Sequence, residues 1–156
     1  KKAEEAAAAV PVVVAPTIAI EPAMQVAPRG DFYAPEEKPC ATYINRCLKD
    51  DPDLAAKLPI FKKTPTLTHA CIDGVLPIKL INYCIPGSID ERVINRVPFS
   101  RKEAEQNFNL CLGSAKVIGC RVFHLTAADL SRGDAASIME LIYEIIRVGL
   151  MSMVSL

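Results

Sequence analysis

Residues 73–95 have the sequence DGVLPIKLINYCIPGSIDERVIN, and this stretch decides how the chain folds. Asp73 can accept a hydrogen bond from the free N–H groups of a helical turn that follows it. Three apolar residues then recur at helical spacing, namely Leu76, Leu80 and Ile81. We therefore predict a short buried helix that ends at Pro86 and Gly87.

Two Ser-x-x-Glu patterns predict further helix starts. Ser88 and Glu91 have the spacing at which a hydroxyl and a carboxylate each accept a hydrogen bond from the other's backbone N–H, which predicts a helical turn here. Ser100 and Glu103 repeat the pattern and open a longer helix, which Gly119 is positioned to end. The apolar stripe expected on this longer helix comprises Ala104, Phe108, Cys111, Leu112 and Ala115.

The longest apolar stripe lies near the C-terminus and follows Asp134, which we expect to start the last helix. Its members recur at the spacing of one helical face and are Ile138, Leu141, Ile142, Ile145, Ile146 and Gly149. Such a wide stripe is typical of the central helix in a small helical domain. The residues expected nearer to the surface of this helix are Met139, Glu140, Glu144, Arg147 and Val148.

A first helix is predicted over residues 36–49, with Ile44, Cys47 and Leu48 on one face. Pro39 must lie in its first turn, because a proline further inside would remove a helix hydrogen bond. Together these segments predict an all-α single domain of about four main helices joined by short helical turns.

Residues 1–35 precede these helices and are rich in alanine, valine and proline. Proline at such intervals prevents a sustained helix and favours extended backbone. We predict an extended tail or linker here, with the hypothesis that its apolar runs dock in extended form on a neighbouring molecule or on the chain's own domain. Residues 153–156 are expected to begin a linker to a following domain.

The charges of the chain balance, with 18 Lys and Arg residues against 18 Asp and Glu residues, so no overall field favours nucleic acid or an anionic membrane. The last apolar stretch is interrupted by Glu140, Glu144 and Arg147, which excludes a membrane span there. We therefore predict no nucleic-acid partner and no membrane span. Any charged partner must be met by a local patch.

Residues that could support catalysis are scattered. The six cysteines form no C-x-x-C pattern, which favours reduced, buried thiols over a zinc site, a redox pair or an extracellular disulfide scaffold. No Gly-rich phosphate loop, G-x-S-x-G, H-E-x-x-H or EF-hand pattern occurs. His124 could pair with Cys120 or Cys111, but an apolar setting would raise the thiol pKa and favour the unreactive form. We predict a protein that is not an enzyme and that holds no cofactor and no metal.

A series of short sequence motifs occurs along the chain in a fixed order. The motifs are Tyr43-Ile44-Asn45, Asp51-Pro52-Asp53, Asp73-Gly74, Ile89-Asp90-Glu91-Arg92, Ile94-Asn95, Gln106-Asn107, Ile118-Gly119-Cys120 and Asp129-Leu130. This series resembles the first calponin-homology domain of the plastins, or fimbrins, which cross-link actin filaments. The resemblance covers roughly residues 36–152.

The resemblance implies a calponin-homology domain over residues 36–152 that binds the side of an actin filament. Such a module is expected to bind weakly alone and to bundle filaments only with further tandem domains. The implied partners are F-actin and an adjacent calponin-homology domain in the full-length chain, and the implied location is the cytoplasmic cytoskeleton. Microtubule or scaffold binding is an alternative, because this fold does not fix the partner, and so is a packing module that binds only its sister domain.

The resemblance also implies contact residues on the first and last helices. These are Thr42, Arg46 and Lys49 on the first, and Met139, Glu140, Tyr143 and Arg147 on the last. The segment from Asp73 to Arg92 is expected to offer further contacts. Tyr143 has an alternative place in the core, because its plastin counterpart is a buried tryptophan.

Overall fold

The computed structural model describes residues 36–96 and 100–154, together with the backbone of residues 11–13 and 17–18. The chain divides into two compact units, Lys1–Ala34 and Pro35–Leu156.

The first unit contains two short strands. Strands β1 (Pro11–Val13) and β2 (Thr17–Ile18) pair in the antiparallel direction. The other predictions for residues 1–35, including the docking hypothesis, lie outside the described residues.

The second unit is built of α-helices. They are α1 (Glu37–Cys47), α2 (Leu67–Cys71), α3 (Val75–Cys84), α4 (Arg101–Ile118), α5 (Ala127–Ser131) and α6 (Ala135–Val154). Two 3-10 helices, Pro52–Leu54 and Glu91–Val93, lie in the connections. The lengths of α1, α3, α4 and α6 are 11, 10, 18 and 20 residues, so the predicted all-α fold with about four main helices is confirmed. Within the described ranges, no helix is both long enough and apolar enough to cross a membrane.

Helix α6 forms the centre of the hydrophobic core. The predicted stripe is confirmed, since Ile138, Leu141, Ile142 and Ile145 have no exposed surface. Helix α6 packs against α1, α2, α3 and α5. Each such buried side chain contributes about 1.5–3 kcal/mol relative to an exposed one, so this stripe is a large part of what holds the helices together.

One prediction for α6 is wrong, because Glu144 and Val148 are buried rather than near the surface. The carboxylate of Glu144 accepts a hydrogen bond from the backbone N–H of Arg121 at 2.8 Å and lies 2.7 Å from the guanidinium of Arg147. Partners of this kind make it possible to bury a carboxylate. Helical periodicity alone places a glutamate on the solvent-exposed face, because the sequence pattern does not show which hydrogen-bond donors surround the side chain in the fold.

Helix α3 begins where Asp73 predicts, since Asp73 Oδ1 accepts a hydrogen bond from the backbone N–H of Val75 at 3.0 Å. Gly74 between them has a φ of 81°, and a Cβ added there would lie 2.7 Å from Cβ of Asn107. Asn107 is fully buried in α4 and donates from Nδ2 to the carbonyl oxygen of Asp73 at 2.8 Å. Only glycine allows α3 to start this close to α4.

The two predicted Ser-x-x-Glu boxes have different outcomes. At the start of α4, Ser100 Oγ accepts from the Glu103 N–H at 3.3 Å and Glu103 Oε1 accepts from the Ser100 N–H at 3.1 Å, so this box is confirmed. The box at Ser88 and Glu91 is wrong, because Ser88 Oγ instead donates to a carbonyl oxygen. Asp90 caps the turn there, because its Oδ1 accepts a hydrogen bond from the backbone N–H of Arg92 at 3.0 Å. The carboxylate of Glu91 is occupied elsewhere by a buried ammonium group.

Candidate functional site

Of the three residues predicted on the first helix, Thr42 and Arg46 lie on one exposed face of α1, whereas α1 ends at Cys47 and Lys49 lies in the turn that follows it. Thr42, Arg46 and Lys49 are exposed, while Ile44 on the opposite face is fully buried. We call Thr42, Arg46 and Lys49, together with Tyr43, the α1 face. Because α1 packs directly against α6, the two predicted sets of contact residues lie on neighbouring helices.

The α1 face carries an ordered cation. The guanidinium carbon of Arg46 lies 5.3 Å from the centre of the Tyr43 ring, which is within the range of a cation–π contact. This stacking orients the arginine while its charge stays in contact with water. The residues that line the shallow depression around this pair are Glu36, Lys38, Pro39, Thr42, Tyr43 and Arg46.

Two side chains of α1 fix its position on the domain. Glu37 Oε2 accepts a hydrogen bond from the backbone N–H of Leu67 at 2.6 Å, which ties the first turn of α1 to the start of α2. The amide of Asn45 accepts from the N–H of Ile60 at 2.7 Å and donates to the carbonyl oxygen of the same residue at 3.3 Å. The α1 face therefore belongs to a firmly anchored helix.

On α6, Arg147 is occupied by contacts within the domain. Its Nε and one terminal nitrogen donate to Glu144 at 3.1 and 2.7 Å, and the same nitrogen lies 3.3 Å from the carbonyl oxygen of Gly119. Burial raises the pKa of the Glu144 carboxyl, but the hydrogen bonds from Arg147 and Arg121 outweigh this effect and hold the pKa below its ordinary value. Arg147 thus compensates a buried carboxylate.

The other predicted residues of α6 differ in exposure. Tyr143 is 45% exposed, so its alternative place in the core is wrong. Glu140 is half-buried, and its Oε1 lies 3.1 Å from Nε2 of His124. Met139 packs partly against the core. Tyr143 is therefore the most accessible of the four.

The segment from Asp73 to Arg92 contains a network that the sequence did not reveal, built around Lys79. This lysine is only 5% exposed, and its Nζ lies 2.7 Å from Asp53, 2.8 Å from Glu91 and 3.3 Å from Asp51. Arg96 donates to Asp53 at 2.9 Å. We call Lys79, Asp51, Asp53 and Glu91 the Lys79 network. It joins α3 to both 3-10 helices.

The Lys79 network shifts the titration of its members. Burial lowers the pKa of the Lys79 ammonium, but hydrogen bonds to Asp53, Glu91 and Asp51 outweigh burial and hold the pKa above its usual value. The same hydrogen bonds lower the pKa of the Asp53 and Glu91 carboxyls. The one available signal in the sequence was a lysine inside the apolar run VLPIKLI.

The thiols are free and mostly buried, as predicted. Cys40, Cys71, Cys111 and Cys120 are buried, and Cys47 and Cys84 are partly buried. Burial raises the pKa of the Cys111 thiol, and it raises that of Cys120 to about 11. Both pKa shifts disfavour the thiolate form that a nucleophilic cysteine needs. Within the described ranges, no group of three or more His, Cys, Asp or Glu residues could hold a metal ion.

The fold and sequence define the class of this protein. The calponin homology (CH) domain family matches residues 34–150, which include all of the helices α1 to α5 and most of α6. The chain belongs to the calponin homology domain family.

Among individual relatives, the chain is similar to fimbrins and plastins. Fimbrin from Dictyostelium discoideum is 42% identical over 125 residues, which are 80% of this chain and 20% of that protein. Plastin-3 from Homo sapiens is 37% identical over 125 residues, with the same coverage of 80% and 20%. The chain thus spans about a fifth of the length of these relatives, and the resemblance to plastins and fimbrins is confirmed.

A solved structure supports the same relation. The crystal structure of the actin-crosslinking core of Schizosaccharomyces pombe fimbrin matches with a TM-score of 0.66 and 35% identity. The match covers 71% of this chain and 24% of that one.

Proposed function

We propose that the chain is an actin-filament-binding module of a fimbrin-like cross-linking protein, and not an enzyme. The observation that carries the proposal is the similarity to the actin-crosslinking core of Schizosaccharomyces pombe fimbrin, at 35% identity and a TM-score of 0.66. F-actin is the proposed partner, and the cytoplasmic cytoskeleton is the proposed location. Further calponin homology domains in the full-length protein would supply the second filament grip.

The proposed contact surface joins the α1 face to α6. Its members are Thr42 and Arg46 on α1, Lys49 in the turn after α1, and Met139, Glu140, Tyr143 and Arg147 on α6. The cationic members differ in how accessible their charge is. Arg46 and Lys49 are exposed and carry accessible positive charge, whereas the charge of Arg147 is paired with Glu144. We assign Arg46 and Lys49 to acidic groups of the filament and Tyr143 to an apolar contact. We assign Arg147 an indirect role, in which its guanidinium holds the buried carboxylate of Glu144.

A pelleting experiment tests this function. A single module lacks the gain in effective concentration that tandem domains provide, so we expect weak binding to F-actin that decreases with added salt, and no bundles. The chain is spun with F-actin and, in parallel, with microtubules over a range of salt concentrations. Binding to F-actin that is independent of salt, no binding at any salt, or stronger binding to microtubules would contradict the proposal.

Arg46→Ala tests the surface itself. We expect the affinity for F-actin to fall about threefold to tenfold, because one partly solvated ion pair contributes about 1 kcal/mol. Arg101→Ala is the matched control, since Arg101 is also an exposed helical arginine but lies on α4. If both variants bind like the original chain, the α1 face is not the contact.

A further inference from the structure

The connection that precedes α2 holds a bulky side chain in a backbone conformation that suits glycine. Phe61 has a φ of 77°, in the left-handed region where an L side chain crowds its own backbone. The residue is 49% exposed, so this strain does not serve the packing of the core. Strained residues are retained where the surrounding structure holds a side chain in place for a task. We call residues 59–64 the Phe61 tip.

Hydrogen bonds fix the Phe61 tip on the domain. The backbone N–H groups of Phe61, Lys62 and Lys63 all donate to carbonyl oxygens within the same turn, at 2.7, 3.1 and 2.9 Å. The preceding N–H group, that of Ile60, donates to the side-chain amide of Asn45 on α1 at 2.7 Å. Four successive backbone donors are thus paired within the domain, and the tip presents its side chains without a free N–H group among them.

The local charge around the tip is positive, although the charges of the whole chain balance. Residues 54–72 include three lysines and no aspartate or glutamate. Lys57 is paired with Asp73, whereas Lys62 and Lys63 are exposed and follow Phe61 directly. The tip therefore presents an aromatic ring beside two accessible cations.

We propose that the Phe61 tip binds the surface of an anionic lipid bilayer, with the ring below the headgroups and the two lysines at the lipid phosphates. This boundary suits the pair, because it accepts an apolar ring while the lysine stems reach back to the charged headgroups. The paired N–H groups favour lipid over a protein groove, since the acyl region offers no acceptor for a free backbone donor. Lysines beside an anionic leaflet add an attraction that salt screens. The proposal does not rest on filament binding.

A single tryptophan tests the proposal, because the chain contains none. In Phe61→Trp, we expect the emission to shift to shorter wavelength on vesicles of phosphatidylcholine mixed with phosphatidylserine. Lipids brominated near the start of the acyl chain should quench it, since the ring should lie about 5–10 Å into the boundary. Vesicles of phosphatidylcholine alone should leave the emission unchanged.

Tyr143→Trp is the matched control. Tyr143 is 45% exposed, close to the value for Phe61, but it lies on α6 in a turn that also carries Glu140 and Glu144. Its emission should not respond to either kind of vesicle. Equal responses at the two positions, or no response in Phe61→Trp, would overturn the proposal.

Lysine variants separate the charge from the ring. We expect Lys62→Gln and Lys63→Gln, each made in the Phe61→Trp chain, to lower the affinity for the anionic vesicles about fivefold. An unchanged circular dichroism spectrum shows that each variant still folds. Unchanged affinity in both variants would contradict the role of the cations.

Phe61→Asn tests the strain together with the binding. Asparagine adopts a positive φ more readily than phenylalanine, so we expect the urea midpoint to stay the same or to rise while pelleting with the anionic vesicles is lost. A large fall in the urea midpoint would mean that the ring is part of the core, and would overturn the proposal. So would a chain that pellets with F-actin but not with vesicles and loses its F-actin binding in Phe61→Asn, because the tip would then be a protein contact.

Discussion

Lys79 shows at the scale of one residue how a charge is kept inside an apolar helix. Its ammonium group is nearly buried, and three carboxylates from two other segments surround it. Removing the cation leaves those carboxylates close together with less compensation, since Arg96 still lies beside Asp53 and Glu91. Removing one partner of a buried ion pair in this way is costly. The network thus stabilises the contact between α3 and two connecting segments, the one that precedes α2 and the one that precedes α4.

Lys79→Met tests this interpretation. Breaking a fully buried pair costs about 3–5 kcal/mol, and because the carboxylates here keep some contact with water we expect a loss of about 2 kcal/mol in the free energy of unfolding. Urea unfolding measures it. Lys116→Met is the matched control, since Lys116 is an exposed lysine on α4, and should change the free energy by less than about 0.5 kcal/mol. Equal losses in both variants would remove the special role of Lys79.

The same network predicts a dependence on pH. Hydrogen bonds to Lys79 hold the pKa of the Asp53 and Glu91 carboxyls below their ordinary values. A carboxyl whose pKa is lower in the folded chain stabilises it above the unfolded pKa of about 4, and this contribution is lost as the pH falls through the folded pKa. The original chain should therefore lose stability below about pH 4, and Lys79→Met should show a shallower decline. Urea titrations at several pH values compare the slopes, and parallel slopes would refute the assignment.

At the scale of elements, the close approach of α6 to α3 depends on one glycine. A Cβ at Gly149 would lie 2.4 Å from Sγ and 2.9 Å from Cβ of Cys84, closer than packed atoms tolerate. Gly113 in α4 offers the opposite case, because nothing lies within 4 Å of a Cβ added there. Both glycines are inside helices, so the helical preference for alanine is the same and only the packing differs.

Gly149→Ala should destabilise the chain by about 1–3 kcal/mol, because α6 must move away from α3 to make room for the methyl group. Gly113→Ala, the matched control, should stabilise it by about 0.5–1 kcal/mol through the better helix propensity. Thermal unfolding of the two variants beside the original chain provides the measurement. A stabilising Gly149→Ala would mean that the helices are not in close contact here.

For the whole molecule, the distribution of thiols provides a measure of cooperative unfolding. Cys71 and Cys111 are fully buried in the core, whereas Cys47 and Cys84 are partly exposed. Core positions open only with the global transition, while peripheral ones open locally. We therefore expect iodoacetamide to label Cys47 and Cys84 in the folded chain, and Cys71 and Cys111 only once urea unfolds it. Peptide mapping of the label checks this, and fast labelling of Cys111 in the folded chain would contradict a single cooperative core.

The sequence by itself determined the helices and the class of the fold. The cap at Ser100, the cap at Asp73 and the apolar stripe of α6 are local signals, and each depends only on spacing along the chain. The family resemblance and the exposed residues of the α1 face also followed from the chain alone.

Only the tertiary structure decided which polar groups are paired. The burial of Lys79 and Glu144 depends on partners that are distant in sequence, and so does the loss of the predicted box at Ser88, because the ammonium group of Lys79 holds the carboxylate of Glu91. Periodicity records which side of a helix is apolar, but it does not record which charge another segment brings to that side. Pairing energy between such segments decides whether a polar side chain is exposed or buried, and this is why the sequence pattern did not predict these contacts.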